Sequence, residues 1–353
     1  MNVKACLAAL MLAGPASAQG FAGLGTEARD FAVPDPEAAL RFPEDHFPHP
    51  DYRIEWWYLT ANLEAPDGTR YGVQWTLFRS ARSPGTAPGW EAEQLWMGHA
   101  ALTSAEAHRV DERLGRGGTG QAGVERPFAA YIDDWAFASI APEGADPFSA
   151  ARLTARGDDF AYDLALRAEG PLVLQGQEGY SVKSPAGQAS YYYSQPFYRV
   201  EGALSLPGGE VAVTGRAWLD REWSSQPLSE NQTGWDWFSL HFADGAKLMG
   251  FGLRERDGGH FTSATWIAPD GRPTHYGDGA LRLTPLETAE VAGREVPVRW
   301  RLELPARGLE VTTEPLNEQA WMGTLFPYWE GPVTVSGSHA GEGYLEMTGY
   351  GAE

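Results

Sequence analysis

Alternating apolar and polar residues mark short strands along most of the chain. Residues 53–63 alternate in this way, a Pro-Asp-Gly turn signal follows at 66–68, and residues 71–78 alternate again. Two such runs around a glycine turn predict a β-hairpin. Similar runs occupy residues 93–102, 130–138, 160–168, 172–175, 191–198, 202–206 and 211–219. Short strands at this spacing are typical of an antiparallel barrel or sandwich.

The hairpin pattern returns in the second half of the chain, in residues 234–254. When the two hairpins are aligned, Trp57 falls on Trp237 and Gly72 falls on Gly250. Strand patterns then continue over residues 260–267, 280–284, 298–304, 309–314, 331–336 and 343–350. We therefore predict an all-β fold with an internal repeat, built from two antiparallel barrels in tandem.

The N-terminal residues carry a different pattern. An apolar run after Lys4 ends in Pro-Ala-Ser-Ala at Ala18, so residues 1–18 are predicted to be a signal peptide that is cleaved after Ala18. Residues 19–50 are rich in proline, aspartate and small residues, which indicates an extended arm. We expect one barrel domain over residues 51–228 and a second over residues 229–353.

Composition narrows the partners and the compartment. The chain has 353 residues, with 47 acidic against 27 basic side chains and a formal charge of −20, so nucleic acid is a poor partner. Its one cysteine, Cys6, lies in the predicted signal peptide, which excludes disulfides and cysteine catalysis in the mature protein. No later apolar run reaches the roughly 20 residues of a membrane-spanning helix. We expect a periplasmic or secreted protein without a transmembrane segment.

The first Trp-rich strand includes an acid. In an extended strand Glu55 and Trp57 share one face, while Trp56 and Tyr58 share the other. A carboxyl group in an apolar wall has its pKa raised by desolvation and can donate a proton. The alternative is that Glu55 pairs with an arginine in a structural network, which is common where barrels close.

A second acidic motif, Asp-Arg-Glu-Trp, occupies residues 220–223. The alternation places Asp220 and Glu222 on one face and Arg221 and Trp223 on the other. Two acids on one face titrate together, so that one keeps its proton near neutral pH. Such a pair could protonate an alkene or a carbonyl group, or could anchor a cation such as Lys183. The candidate catalytic acids are therefore Glu55, Asp220 and Glu222.

Aromatic side chains near these acids are candidates for a ligand pocket. His99 lies in an otherwise apolar strand and Tyr193 ends a run of three tyrosines, although packing explains both equally well. The candidate ligand-binding residues are Trp57, His99, Tyr193, Trp223, Trp235 and Trp237. His46 and His49 have the spacing of metal ligands, but no third ligand is near in sequence, so no metal is predicted.

Several of these motifs, in this order, carry a resemblance. The Ile-Glu-Trp-Trp-Tyr of residues 54–58, the Ala-Trp-Leu-Asp-Arg-Glu-Trp of residues 217–223 and the Gly-Trp-Asp-Trp-Phe of residues 234–238 are the most specific. With them the chain resembles the family of the carotenoid 1,2-hydratases and the AttH-type secreted lipocalin-like proteins. The resemblance implies two lipocalin-like β-barrels packed together, a ligand site in or between them, and no cofactor.

The resemblance also implies a range of functions. The hydratase branch adds water to an isoprenoid double bond, which requires an acid and aromatic faces, and Asp220 and Glu222 with Trp223 and Tyr193 could supply them. The Asp-Arg-Glu-Trp motif, however, is more similar to the AttH-type members. The leading hypothesis is an exported protein that binds a hydrophobic, lipid or isoprenoid-like molecule in the cell envelope. A cofactor-independent hydratase or isomerase and an accessory partner of an envelope transporter are the alternatives. If one barrel alone is functional, we expect it to be the N-terminal one.

Overall fold

The computed structural model describes Leu24 and residues 28–351, and regular structure in that part of the chain is almost entirely β. The predicted signal peptide and the start of the predicted arm lie outside the described residues. The strands form two antiparallel sheets, one in each half of the chain. In the described part of the chain no helix is long and apolar enough to cross a membrane.

The first sheet contains thirteen strands and curls into the N-terminal barrel. They are β1 (Ile54–Glu64), β2 (Arg70–Ala81), β3 (Gln94–Thr103), β4 (His108–Arg116), β5 (Ala122–Glu125), β6 (Ala129–Ile132), β7 (Trp135–Ser139), β8 (Ala150–Arg156), β9 (Ala161–Ala168), β10 (Val173–Leu174), β11 (Tyr180–Val182), β12 (Ala189–Leu206) and β13 (Gly209–Ser224). Their order is β4-β3-β2-β1-β13-β12-β9-β8-β7-β6-β5, and β10 and β11 pair with β12. The first strand of the sheet therefore lies between the second strand and the last.

The second sheet contains ten strands and forms the C-terminal barrel. They are β14 (Gln232–Phe242), β15 (Lys247–Glu255), β16 (His260–Ile267), β17 (Pro273–Tyr276), β18 (Arg282–Val291), β19 (Arg294–Leu304), β20 (Leu309–Pro315), β21 (Trp321–Met322), β22 (Tyr328–Gly337) and β23 (Gly341–Met347). Their order is β17-β16-β15-β14-β23-β22-β20-β19-β18, and β21 pairs with β22. Again the first strand lies between the second and the last, which confirms the predicted pair of lipocalin-like barrels.

Short 3₁₀ turns interrupt the loops of both halves. They span Glu44–His46, Gly89–Glu91, Pro147–Ser149 and Pro305–Arg307. The first of them belongs to the segment that precedes β1. The rest of residues 28–53 consists of turns, bends and irregular chain.

The molecule has three principal apolar clusters rather than two. The interior of the N-terminal barrel contains Trp57 and Leu59, and the interior of the C-terminal barrel contains Phe238. A third cluster lies between the barrels and includes Tyr58 and Trp237. Because side chains alternate along a strand, the residue next to an interior side chain points at the other barrel.

This alternation corrects the alignment of the two repeats. Trp57 lies inside its barrel, whereas Trp237 lies between the barrels, where its ring meets that of Tyr58 edge to face at 5.2 Å. The alignment of Trp57 with Trp237 is therefore wrong by one residue, since a slip of one exchanges the two faces. Asp236 consequently points into the C-terminal barrel, where Arg254 Nη1 lies 2.6 Å from its Oδ1. Each barrel thus encloses a carboxylate paired with arginine.

The segment before β1 occupies one end of the N-terminal barrel. The ring of His46 is fully buried, and its Nδ1 shares a hydrogen bond of 2.6 Å with the Tyr193 hydroxyl. Trp57 Nε1 donates to the His46 carbonyl at 2.9 Å, and Arg221 Nη2 donates to the Phe47 carbonyl at 2.8 Å. This segment therefore supplies side chains and backbone that fill the barrel interior.

Close backbone approach joins the barrels at β2 and β22. A Cβ atom on Gly72 would lie 2.5 Å from Pro332 Cγ and 2.5 Å from the Tyr344 hydroxyl, both from the C-terminal barrel. The proline ring cannot rotate away. Nearby, Asn62 Nδ2 donates to the Gly343 carbonyl at 3.0 Å. Glycine at position 72 is therefore required by the distance between the two sheets.

We expect Gly72→Ala to separate the barrels locally and to lower the free energy of unfolding by about 1–3 kcal/mol, the cost of overpacking. Urea denaturation measures the change. Gly208→Ala is the matched control, because a Cβ atom there meets open space. Equal stability of the two variants would show that the interface tolerates the extra methyl group.

Candidate functional site

A cavity of about 250 Å³ lies between the two barrels. The outward faces of β1, β2, β3, β12 and β13 supply one side of it, and the outward faces of β14, β15, β22 and β23 supply the other. Its apolar and aromatic lining includes Trp56, Tyr58, Phe78, Met97, Leu228, Trp235, Trp237, Phe251 and Leu253. Each barrel provides half of the enclosure, because the strand faces that line the cavity are the ones turned away from the barrel interiors.

Asp220 is the central acid of the N-terminal barrel at this cavity. Its carboxyl group accepts hydrogen bonds from the Tyr192 hydroxyl at 2.5 Å, the Ser194 hydroxyl at 2.5 Å and Trp218 Nε1 at 2.6 Å. All three donors are neutral. Burial, together with the nearby charge of Glu222, raises the pKa of Asp220 to about 7. Asp220 therefore holds a proton for much of the time at neutral pH.

Glu346 on β23 is the corresponding acid of the C-terminal barrel. Trp235 Nε1 donates to its Oε1 at 2.5 Å, and the Tyr58 hydroxyl also hydrogen-bonds this carboxyl group. Burial raises its pKa to about 7, and the charges of Asp220 and Glu222 add to the rise. Two barrels thus place two carboxyl groups with raised pKa values around one apolar cavity.

Glu222, unlike the other two acids, is paired with a cation. Lys183 Nζ lies 2.9 Å from Glu222 Oε1, and the Ser190 hydroxyl donates to the same oxygen. The Lys183 ammonium group also lies 4.4 Å from the ring centre of Phe251. This is the anchoring that the alternation left open for the acidic pair. The cavity therefore contains a carboxyl group paired with lysine beside two whose pKa values are raised to about 7, and such unlike environments suit a general base beside general acids.

His99 lies at the edge of the same cavity. Its Nδ1 is 2.9 Å from the Tyr328 hydroxyl and its Nε2 is 3.1 Å from Glu112 Oε1. Burial lowers the pKa of His99, although Glu112 opposes the shift. The imidazole is therefore neutral at pH 7 and links a residue of each barrel.

The sequence allowed two roles for Glu55, a proton donor or a structural partner of arginine, and the structure supports the second. It reaches the edge of the cavity, but Arg79 Nε donates to its Oε1 and Arg221 Nη2 lies 2.5 Å from its Oε2. The backbone N–H of His49 donates to both oxygens, at 3.0 and 3.1 Å. Although burial opposes ionisation, these partners hold the pKa of Glu55 well below its usual range. Glu55 is therefore an ionised partner of two arginines and not a proton donor.

Three predicted ligand-binding residues lie away from the cavity. Trp57, Tyr193 and Trp223 are buried inside the N-terminal barrel. Trp223 stacks on His49 at 3.9 Å with ring planes 4° apart, and the Arg221 guanidinium lies 3.8 Å from the ring centre of Trp57. This is a correction, and its cause is the strand alternation, which directs these side chains to the filled interior. The other three predicted residues, His99, Trp235 and Trp237, line the cavity.

Some residues of the site were not predicted from the sequence. Glu346, Tyr58 and Tyr192 contribute polar groups to the cavity lining, yet none was named as a candidate. The alternation of β1 already placed Tyr58 beside Trp56 on the outward face, so that signal was available. Glu346 has no local signal, since its meeting with Asp220 depends on how the two barrels dock.

The histidines with metal-like spacing have other partners. His46 hydrogen-bonds Tyr193, and His49 Nε2 lies 3.2 Å from Asp45 Oδ1. Over Leu24 and residues 28–351, no group of three or more His, Cys, Asp or Glu side chains is arranged to hold a metal ion.

Comparisons with known proteins point to one family over nearly the whole chain. The model of the AttH-like family matches residues 33–350. A solved structure from Nitrosomonas europaea, described as a candidate AttH, is 35% identical, with a TM-score of 0.80 over 91% of this chain and 100% of that one. No curated protein sequence matches the chain.

Two more distant structures share the fold. Kievitone hydratase from Nectria haematococca is 18% identical, with a TM-score of 0.66 over 90% of this chain and 98% of that one. CghA in complex with Sch210972 is 14% identical, with a TM-score of 0.53 over 92% and 97%. At these identities the likeness concerns the fold alone.

We expect Glu55→Gln to reduce stability without changing the cavity. The substitution leaves Arg79 and Arg221 buried beside a neutral amide, which costs about 3–5 kcal/mol. Urea denaturation measures this loss. Glu64→Gln, at the exposed end of the same strand, is the control and should change stability by less than about 0.5 kcal/mol. A small effect at Glu55 would contradict the structural role.

The raised pKa of Asp220 predicts how the free energy of unfolding depends on pH. Between its ordinary pKa of 3.8 and the folded value of about 7, the folded state binds this proton more tightly than the unfolded state. The resulting stabilisation is complete below the ordinary pKa and is lost as the pH rises through the folded pKa, by about 1.4 kcal/mol per pH unit inside this window.

Asp220→Asn removes this titration. The difference in unfolding free energy, variant minus wild type, should therefore rise with pH across the window and level off above it. Urea denaturation at a series of pH values measures the trend, and the exposed Asp158→Asn serves as control. A difference that stays constant with pH would show that Asp220 is ionised throughout.

Proposed function

This chain belongs to the AttH-like family, as the resemblance in its motifs predicted, and we propose that it is a hydratase or isomerase that acts on an apolar, unsaturated small molecule without a cofactor. The molecule binds in the cavity between the barrels, and Asp220 or Glu346 protonates it. The observation that carries the proposal is the pair of carboxyl groups with pKa values raised to about 7 in the wall of an apolar cavity.

The cavity suits a small apolar ligand. Its volume of about 250 Å³ lies just below the roughly 300–1,000 Å³ of most ligand pockets, so it takes a small molecule or one part of a longer one. Aromatic rings from both barrels, including Trp237 and Tyr58, supply flat apolar surface. Such rings favour a lipid or isoprenoid-like group, because their faces also stabilise positive charge.

The carboxyl groups of the cavity divide into two proton donors and one proton acceptor. Protonation of a carbon–carbon double bond by Glu346 or Asp220 forms a C–H bond and leaves a carbocation beside the aromatic rings. In a hydration, water then forms a C–O bond and gives one proton to the Glu222 carboxylate, which is paired with Lys183. In an isomerisation, Glu222 instead removes a proton from the neighbouring carbon. One proton is given and one is taken in either case.

Binding without turnover is the second candidate, and the largely apolar lining supports it. On this reading the protein carries a lipid or isoprenoid-like molecule in the cell envelope, and the acids only hydrogen-bond the ligand. Export in either case is proposed from the Ala-x-Ala motif that ends at Ala18.

A role as accessory of an envelope transporter would require an exposed apolar surface. Leu95 and Leu114 are exposed on the paired strands β3 and β4, and Trp90 is exposed in the loop before them. These three exposed side chains are the observation that supports this alternative.

Deuterium incorporation separates an enzyme from a carrier. The protein is incubated in D₂O with a panel of terpenoid and fatty alkenes, and products are analysed by mass spectrometry and NMR. An acid that protonates a double bond places solvent deuterium on carbon, and we expect this with wild type but not with the double variant Asp220→Asn and Glu346→Gln. Absence of deuterium from every alkene, together with a molecule recovered unchanged from the purified protein by solvent extraction, would favour the carrier.

A cavity-filling variant is the companion test of the binding site. Leu253→Trp should weaken binding of the fluorescent probe N-phenyl-1-naphthylamine by at least about tenfold, since the indole occupies the ligand volume. Leu286→Trp, at an exposed position away from the lining, is the matched control. Equal probe binding by the two variants would place the binding site elsewhere.

A further inference from the structure

Hydrogen-bonding side chains connect the surface of β4 to the interface between the barrels. Glu112 is the outer member, with 25% of its side chain exposed. Its Oε1 lies 3.1 Å from Nε2 of the buried His99, and Nδ1 of that ring lies 2.9 Å from the Tyr328 hydroxyl. Glu112 and His99 belong to the N-terminal barrel and Tyr328 to the C-terminal barrel, so the series crosses the interface at this point.

Glu330 on β22 is the innermost member of the series. The Tyr328 hydroxyl hydrogen-bonds its carboxyl group, and the Tyr58 hydroxyl donates to its Oε1. Glu330 is 1% exposed and does not line the cavity, and its Oε2 has no hydrogen-bond partner among the residues that the structure describes. Burial and the charge of Glu346 raise the pKa of Glu330 well above its ordinary value. It is therefore a carboxylic acid that keeps its proton in the interface.

Tyr58 continues the series from Glu330 to the cavity. Its hydroxyl hydrogen-bonds Glu346 as well as Glu330, and Glu346 lines the cavity. Each member between Glu112 and Glu346 is an imidazole, a phenol or a carboxylic acid, and these groups both donate and accept hydrogen bonds. These side chains therefore follow one another from a partly exposed carboxylate to the acid of the proposed reaction, with the contacts of Tyr328 with Glu330 and of Tyr58 with Glu346 as the inner steps.

We propose that these side chains are a proton relay, in which Glu330 stores a proton for Glu346 and is refilled from solvent through Tyr328, His99 and Glu112. In one inward shift each member gives a proton to the next and receives one from the member before it. Only O–H and N–H bonds change, and the net result is one proton moved from solvent at Glu112 to Glu346.

The relay rests on the proposed function and explains how Glu346 regains its proton after each turnover. Once Glu346 has protonated the substrate, an apolar molecule in the cavity keeps water away from its carboxylate. The relay instead returns the proton from solvent at Glu112, through the side chains of His99 and Tyr328 in the cavity wall. The proton that Glu222 has accepted is released when product leaves, so each cycle takes up one proton and gives one back.

Hydrogen–deuterium exchange at Glu330 tests the relay without any substrate. The full-length protein is mixed with D₂O, and infrared spectroscopy follows the C=O stretch of protonated carboxylic acids, with Glu330→Gln identifying the Glu330 band. Tyr58→Phe is introduced first, because it removes the link between Glu330 and the cavity acid Glu346. Exchange in this variant should stay fast, since protons still arrive from Glu112.

Adding Tyr328→Phe to Tyr58→Phe should slow exchange of the Glu330 band by about tenfold or more, because exchange must then wait for local opening of the interface. Tyr131→Phe, on the far strand β6, is the matched addition and should leave the rate unchanged. Glu112→Gln in the same background should slow exchange as well, because Tyr328 lines the cavity and only the loss of the outer carboxyl group tests entry from the surface. The exposed Glu143→Gln is its control.

Two results would overturn the relay. One is equally fast exchange with and without the Glu112 carboxyl group, which would mean that protons reach Tyr328 from the cavity. The other is slow exchange in Tyr58→Phe alone, which would mean that protons arrive through Glu346. Neither result depends on turnover. A relay that fails here leaves deuterium transfer to alkenes intact as a measure of the proposed function, and a missing deuterium transfer leaves this exchange result intact.

Discussion

The central strands of both barrels are buried on both faces, and the rest of the site depends on this constraint. β1 and β13 pack one face into the N-terminal barrel and the other against the C-terminal barrel, and β14 and β23 do the converse. A polar side chain on such a strand has no water beside it, so its charge is decided by its protein neighbours. Tryptophan is frequent on these strands because it offers a large apolar area with one N–H group that finds a buried acceptor, as Trp218 finds Asp220.

The same constraint separates the acids of this protein into two kinds. Glu55 and Asp236 point into the barrels and are paired with arginine, which occupies the carboxyl group, although burial still raises the pKa of Asp236 where it has one arginine and Glu55 has two. Asp220, Glu330 and Glu346 point into the interface and are surrounded by phenol, hydroxyl and indole groups. Neutral donors cannot offset the loss of hydration, so these carboxyl groups retain protons. The carboxyl groups that can donate a proton therefore lie where the two barrels meet.

The duplicated architecture makes this possible. One barrel alone would expose Trp56, Tyr58 and Asp220 to water, and the pKa of Asp220 would lose the burial that raises it. Docking of the second barrel supplies the missing wall and adds Glu346 and Tyr328. Because Gly72 meets Pro332 without room for a side chain, the distance between the sheets is set within narrow limits. The spacing of the acids follows from it.

The sequence by itself determined the strands, their alternation and the resemblance that indicates paired barrels, because these depend on local patterns of side chains. It also placed Asp220 and Glu222 on one face of β13. The tertiary structure decided which face that was. Inward and outward faces of a strand look alike in sequence when both are buried, so Trp57 and Trp223 could not be told from Trp237, nor Glu55 from Asp220. Only the docked barrels bring Glu346 and Tyr328 to the cavity, since residues so distant along the chain meet through packing alone.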